Sequence, residues 1–164
     1  MIDIISTFTT IAAVCISFFF SHRESKERTL ILKQQQAAKV YVAPTLKPMN
    51  KNNTMIVNAS DCPIYEVFVF NVSNKSGDKI RKQLESQQGF AYSPLVLPGK
   101  VEFHVQSGGN STGGEHSVPI VFFKDCNSNG WVRTNKGNLI QVNNYLDEYI
   151  SVATGGYGPF SVDF

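Results

Sequence analysis

Apolar residues fall along this chain in two rhythms that meet near Lys39. From Ile4 to Phe20, IISTFTTIAAVCISFFF, seventeen residues pass without a formal charge. As a helix rising about 1.5 Å per residue, such a run covers about 25 Å, slightly less than a hydrocarbon core of about 30 Å. It predicts a transmembrane helix over 1–21, with Met1 and Ile2 lengthening the span if Asp3 lies near the headgroups. A cleaved signal peptide fits poorly, because it needs a basic segment ahead of the apolar run and a small-residue cleavage site behind it. Here Asp3 alone is charged before the run, and Phe18, Phe19 and Phe20 lead straight into SHRESKER. The bland alternative is a buried core helix.

Ser21 to Ala38 contains neither Gly nor Pro and is rich in good helix formers, so a juxtamembrane helical linker is predicted over 22–38. Leu30, Ile31 and Leu32 with Ala37 and Ala38 give it a modest apolar surface without coiled-coil heptads.

From Lys39 onward, short runs of branched and aromatic residues are punctuated by Gly, Pro, Asn and Ser, which is a β pattern. Strands are expected at Val40–Ala43, Met55–Asn58, Pro63–Val72, Leu95–Leu97, Val101–Val105, Val118–Lys124, Trp131–Arg133 and Leu139–Val142. Pro63–Val72 is apolar on both faces, as a central strand would be, whereas Val101, Phe103 and Val105 alternate with polar neighbours in the manner of a half-buried strand. Lys75–Gly89 reads as a polar loop with a helical turn, Tyr145–Val152 as strand or short helix, and Phe160–Phe164 as a last edge strand. Seven or eight antiparallel strands at this spacing predict a mainly β fold, an immunoglobulin-like antiparallel β-sandwich over 39–164 preceded by one long N-terminal transmembrane and linker helix. A small barrel is the alternative. Antibody-type architecture is disfavoured, since Trp131 follows both Cys62 and Cys126.

Charge sharpens the topology. The chain carries a formal +2, but His22–Lys39 holds five basic and two acidic residues while Val40–Phe164 holds ten of each. Arg23, Lys26, Arg28, Lys33 and Lys39 all follow the apolar run, so the positive-inside rule predicts an outside N-terminus and a cytoplasmic body on a single-pass inner-membrane protein. The basic excess suits anionic headgroups of a lipid bilayer and argues against duplex nucleic acid, whose basic footprint should lie on the folded body. Within the run, Ser6, Thr10, Ala13 and Ser17 share one helix face. Small and hydroxyl residues let membrane helices associate, which predicts a homo-oligomer; the competing reading is that the hydroxyls bond back to their own backbone.

Chemistry is sparse. Neither SGGNSTGG nor ATGGYGP ends as a phosphate loop does, and no nucleophile elbow or triad order is present. His104 and His116 with Cys62 or Cys126 lack zinc spacing, so no metal and no cofactor is expected. Asp147 and Glu148 point in different directions on a strand or a helix, which leaves no carboxylate pair. Two cysteines in the body are too few for a disulfide scaffold. Structural roles suffice for the conspicuous side chains: Asn58 and Ser60 at a turn that Pro63 helps to set, a buried Tyr65 with a partnered hydroxyl, Trp131 as a core anchor, and Arg133 capping strand ends or pairing with Asp125.

The segment from Asn58 to Val67, NASDCPIYEV, resembles an N-x-S-x-x-P-(V/I)-Y-x-V turn and strand. Leu97-Pro98-Gly99 follows, and then Phe123–Asp125 with Gly130–Leu139 is similar to F-x-D…G-x-W-x-R-x-x-x-G-x-L. In this order the motifs resemble uncharacterised bacterial proteins built as an N-terminal span, a helical linker and a small cytosolic β-sandwich. The resemblance implies architecture and no activity. The expected function is a membrane-anchored, non-enzymatic interaction or sensor module that binds a protein partner. The alternative is a nucleotide-signal-gated effector that depolarises the membrane, on a weaker likeness in plan to membrane effectors of CRISPR-linked and antiphage (antiviral) defence. For that reading Lys124, Arg133 and Lys136 near Tyr157 would hold the phosphates and base of a small anionic ligand.

Overall fold

The computed structural model describes residues 2–44, 53–77, 79–87, 89–105 and 114–154, with side chains in the first helix described from Ile11 except those of Ala12, Leu30, Leu32 and Lys33. The expected edge strand at Phe160–Phe164, and Tyr157, lie outside the described residues, as do the side chains of Ser6 and Thr10. The chain divides into two compact units between Gln35 and Gln36.

Helix α1 runs Ile2–Ala38, 37 residues without a Gly or Pro to break it. On its polar stretch Arg23 pairs with Glu27 at 3.2 Å and Arg28 with Glu24 at 2.6 Å, both at i,i+4 spacing and exposed. Such pairs contribute only a few tenths of a kcal/mol each, about 0.3–0.5. Ser17 Oγ donates to the Ala13 carbonyl at 2.8 Å, so this hydroxyl bonds its own backbone. Among the described residues no helix is long and apolar enough to cross a membrane; the side chains of Ile4 to Thr10, the leading part of the expected span, fall outside them.

The second unit is mainly β. Its elements are β1 (Val40–Pro44), β2 (Asn53–Asn58), β3 (Ile64–Ser73), α2 (Ile80–Glu85), β4 (Phe90–Val96), β5 (Gly99–His104), β6 (Ser117–Lys124), β7 (Gly130–Arg133) and β8 (Leu139–Gln141). A π-helical turn at Leu146–Ile150 and a short helix α3 at Ser151–Ala153 follow, so the ambiguous Tyr145–Val152 segment is helical. The strands form two antiparallel sheets, β1-β2-β5 and β4-β3-β6-β7-β8.

Central strand β3 organises the core because it is apolar on both faces. Val67 and Val69 face inward with Ile56, Phe103, Val121, Phe123 and Trp131, so residues of both sheets share one core. Phe68, Phe70 and Val72 face the other way, where Leu84 of α2, Tyr145 and Ile150 cover them together with Ile120, Phe122 and Val132. Strict alternation would set Ile64 with the second group, yet it packs in the first. The pairing with β6 shifts register between Tyr65 and Phe68, and Glu66 has φ 47°. This is a bulge, whose extra residue inverts the phase of the strand. It also corrects the expectation for Tyr65, which stands 41 % exposed instead of burying its ring.

Gly130 opens β7 where the backbone passes under the segment that follows β8. A Cβ there would collide with the Val142 carbonyl oxygen and lie 2.9 Å from the Tyr145 ring, while Val142 N donates to Gly130 O at 2.8 Å. Gly130→Ala is expected to cost about 3 kcal/mol or more by overpacking a backbone contact that cannot yield. A urea melt checks this; an unchanged midpoint would refute the close approach.

Candidate functional site

The structure separates two of the residues expected to share a ligand. Lys124 ends β6, whereas Arg133 pairs with Val121, about 10 Å back along the strand at the usual rise per residue. They also project from opposite faces, because Val121 lies in the inter-sheet core and its odd-numbered separation from Lys124 reverses the side. Lys124 Nζ meets Glu66 Oε2 at 2.6 Å. Lys136 is exposed in the turn between β7 and β8. Tyr157 lies outside the described residues. Of the helix residues, Ala13 and Ser17 are exposed.

Arg133 does structural work. Its Nη2 donates to the Ala37 carbonyl at 3.1 Å and the Ala38 carbonyl at 3.2 Å, Nε to Val40 O at 2.6 Å, and Nη1 to Gly137 O at 3.0 Å. Helix α1 has no basic residue in its last turn, so its final carbonyls and the negative end of its dipole receive their cation from β7. Burial lowers the Arg133 pKa from its usual value, and the guanidinium remains charged. Asp125 is not its partner: the buried carboxylate accepts the Trp131 indole N–H at 2.9 Å and the Asn127 and Asn129 backbone N–H groups at 2.9 Å each. Trp131 is fully buried, as the sequence led us to expect.

A second polar joint surrounds Asn58. Its Oδ1 accepts from Ser60 Oγ at 2.6 Å and its Nδ2 donates to Cys62 O at 2.9 Å. Gln36 joins the cluster from the last turn of α1: its Nε2 donates to Pro63 O at 3.0 Å and Cys62 O at 3.3 Å, and its Oε1 accepts from Cys126 N at 2.9 Å. Nothing in the run Gln34-Gln35-Gln36 distinguishes the third glutamine.

Among the described residues, a concave surface of the second unit lies elsewhere, between α2 and the C-terminal helical turn. Two adjoining cavities of about 300 and 710 Å³ share Arg81, Glu148, Tyr149 and Val152 and so form one groove. Tyr149 packs on Phe122 with ring centroids 5.9 Å apart, and Gln87 Nε2 donates to Ala153 O, linking α2's end to α3. Leu84, Val152 and Ile140 give the groove apolar surface; Lys79 and Arg81 supply cations, and Glu85, Asp147 and Glu148 supply anions. Among the described residues no group of three or more His, Cys, Asp or Glu could hold a metal ion. The arrangement suits non-covalent recognition of a surface carrying both signs of charge. The sequence does not disclose this groove, because it leaves Tyr145–Val152 open between strand and short helix and reads Lys75–Gly89 as a loop with only a helical turn.

Beside the bulge, Tyr145 donates to the Glu66 carbonyl at 2.8 Å. Its phenol pKa is raised well above 10.0 by burial, with Glu66 and Tyr92 adding to the shift. Above pH 10 the unfolded phenol ionises while the folded one keeps its proton, so the unfolded state binds fewer protons and stability falls as pH rises. Tyr145→Phe is expected to lose about 1 kcal/mol at neutral pH, from the hydrogen bond, and to flatten the alkaline decline in melting temperature. An unaltered alkaline slope would contradict a buried neutral phenol. Arg133→Lys keeps the charge but not the fork, and should cost about 2 kcal/mol in a denaturant melt; no loss of stability would mean that the helix-end carbonyls do not depend on it.

No protein-family model matches this chain, and no curated protein and no solved structure matches it either.

Proposed function

We propose that the chain is a membrane-anchored, non-enzymatic recognition module: an immunoglobulin-like sandwich held at the cytoplasmic face of the inner membrane, receiving a protein partner in the groove beside α2. The observation that carries the anchor is the surface of α1. Ile11, Val14, Ile16, Phe18, Phe19 and Phe20 are 49–73 % exposed. At about 100° per residue these positions point all round the helix, and a helix apolar on every side is stable only out of water. Lipid meets that need along the whole run from Ile4 to Phe20. The basic residues that follow, Arg23, Lys26 and Arg28, favour the cytoplasmic side. Ala13 and the self-bonded Ser17 hydroxyl leave a low surface on which a second copy of the helix can pack, which supports a homo-oligomer.

The groove favours a protein segment over a nucleotide. Glu85, Asp147 and Glu148 stand beside Lys79 and Arg81, so a polyphosphate would gain from one rim and be repelled by the other. A polypeptide can answer both signs and lay an apolar side chain against Tyr149 and Val152. The nucleotide-gated reading lacks a comparable support, since Arg133 spends its donors on four carbonyls and Lys124 is paired with Glu66.

Alkaline carbonate extraction of membranes bearing the tagged full chain tests the anchor. The chain should remain in the pellet and partition with detergent. Ile11→Arg with Val14→Arg, at about 2.5–3.5 kcal/mol per charge near a span's centre, should release it or prevent its insertion. Release of the unaltered chain by carbonate would overturn the proposal.

A further inference from the structure

Cys62 and Cys126 are far apart in the chain, and no spacing rule links them. The fold brings them together in two independent ways. Tyr65 pairs with Lys124 at the end of the β3–β6 ladder, so Cys62, before β3, and Cys126, after β6, leave the sheet at the same end. The Gln36 carboxamide then grips both backbones at once, donating to Cys62 O at 3.3 Å and accepting from Cys126 N at 2.9 Å. The Cys126 thiol lies within hydrogen-bonding reach of the Cys62 thiol, the close sulfur approach that a disulfide requires. Both are free thiols, Cys126 exposed and Cys62 half-buried. Burial pushes the Cys126 thiol up, and the adjacent Cys62 thiol and Asp125 push it the same way.

We infer that Cys62 and Cys126 form a redox-active dithiol that closes to an intramolecular disulfide when it meets a small-molecule disulfide. The exposed Cys126 thiolate attacks one sulfur of the oxidant, and one molecule of the small thiol leaves. Cys62 thiolate then attacks Cys126 Sγ and expels the second. The protein surrenders two electrons and two protons, and both small thiol molecules carry them away. The bond ties the turn before β3 to the turn after β6, across a long chain loop, which is where a cross-link restricts the unfolded chain most. The thiolate is the attacking form, so the first step quickens as pH rises.

The test uses the full chain in detergent with Cys15→Ser, incubated with glutathione disulfide and followed by intact mass and thiol alkylation. Oxidation should lower the mass by two hydrogens, remove both alkylatable thiols in step, and raise the melting temperature, with reversal by a reducing thiol. Cys62→Ser and, separately, Cys126→Ser should each stop at a stable adduct with one glutathione on the remaining cysteine. Accumulation of a doubly glutathionylated Cys15→Ser chain, covalent dimers between copies, or no reaction at pH 8.5 would each overturn the proposal. Cys126→Ser alters an exposed side chain, so its fold is secure even if Cys62→Ser is not tolerated.

Discussion

A strand that is apolar on both faces cannot end a structure. β3 offers Val67 and Val69 on one side and Phe68, Phe70 and Val72 on the other, all buried, so its sheet needs a cover on each side. The three-stranded sheet supplies one and α2 with the C-terminal helical turn supplies the other. Burying five such side chains contributes about 1.5–3 kcal/mol each, far more than the exposed ion pairs of α1. The groove beside α2 follows from the second cover, because α2 and the C-terminal helical turn are short pieces that leave a cleft between them on the sheet face.

Asp125 and Asn58, two buried polar side chains at the edges of this core, are each answered by specific partners. Asp125 is 1 % exposed, and a carboxylate so placed is tolerable only because it accepts the Trp131 indole and two backbone N–H groups. Removing one acceptor would orphan several donors at once. The same logic holds at Asn58, where Ser60 and Cys62 close a turn that would otherwise bury bare backbone groups. Together these joints fix where β3 begins and where β6 turns into β7, and so they set the register that brings Cys62 beside Cys126.

Periodicity made the strands legible. The run Pro63–Val72 and the alternation of Val101 and Phe103 placed β3 and β5 within a residue or two, and Trp131 announced itself as a core anchor. What periodicity cannot show is a change of phase. Glu66 is an ordinary strand residue in composition, and its left-handed φ comes from the need to keep both Ile64 and Val67 inside. That shift turned Tyr65 outward. Nor can a sequence show how a long side chain is spent: Arg133 looks like a ligand-binding cation until three of its four acceptors are seen to lie more than ninety residues earlier in the chain, Val40 O in β1 and the Ala37 and Ala38 carbonyls that end α1.

Those carbonyls also redraw the boundary of the folded body. Composition changes at Lys39, which made it the natural start of the domain, yet the second compact unit begins at Gln36. Ala37 is fully buried in the inter-sheet core, and Gln36 binds the chain on both sides of the cysteine pair. A body begun at Lys39 would leave a hole where Ala37 sits and would free Arg133 from two of its acceptors. The last turn of α1 is therefore a part of the core between the two sheets. Its helical propensity could be read from the sequence; its membership in a β domain could not, because an alanine and a glutamine look the same on a solvated linker as they do in a packed joint.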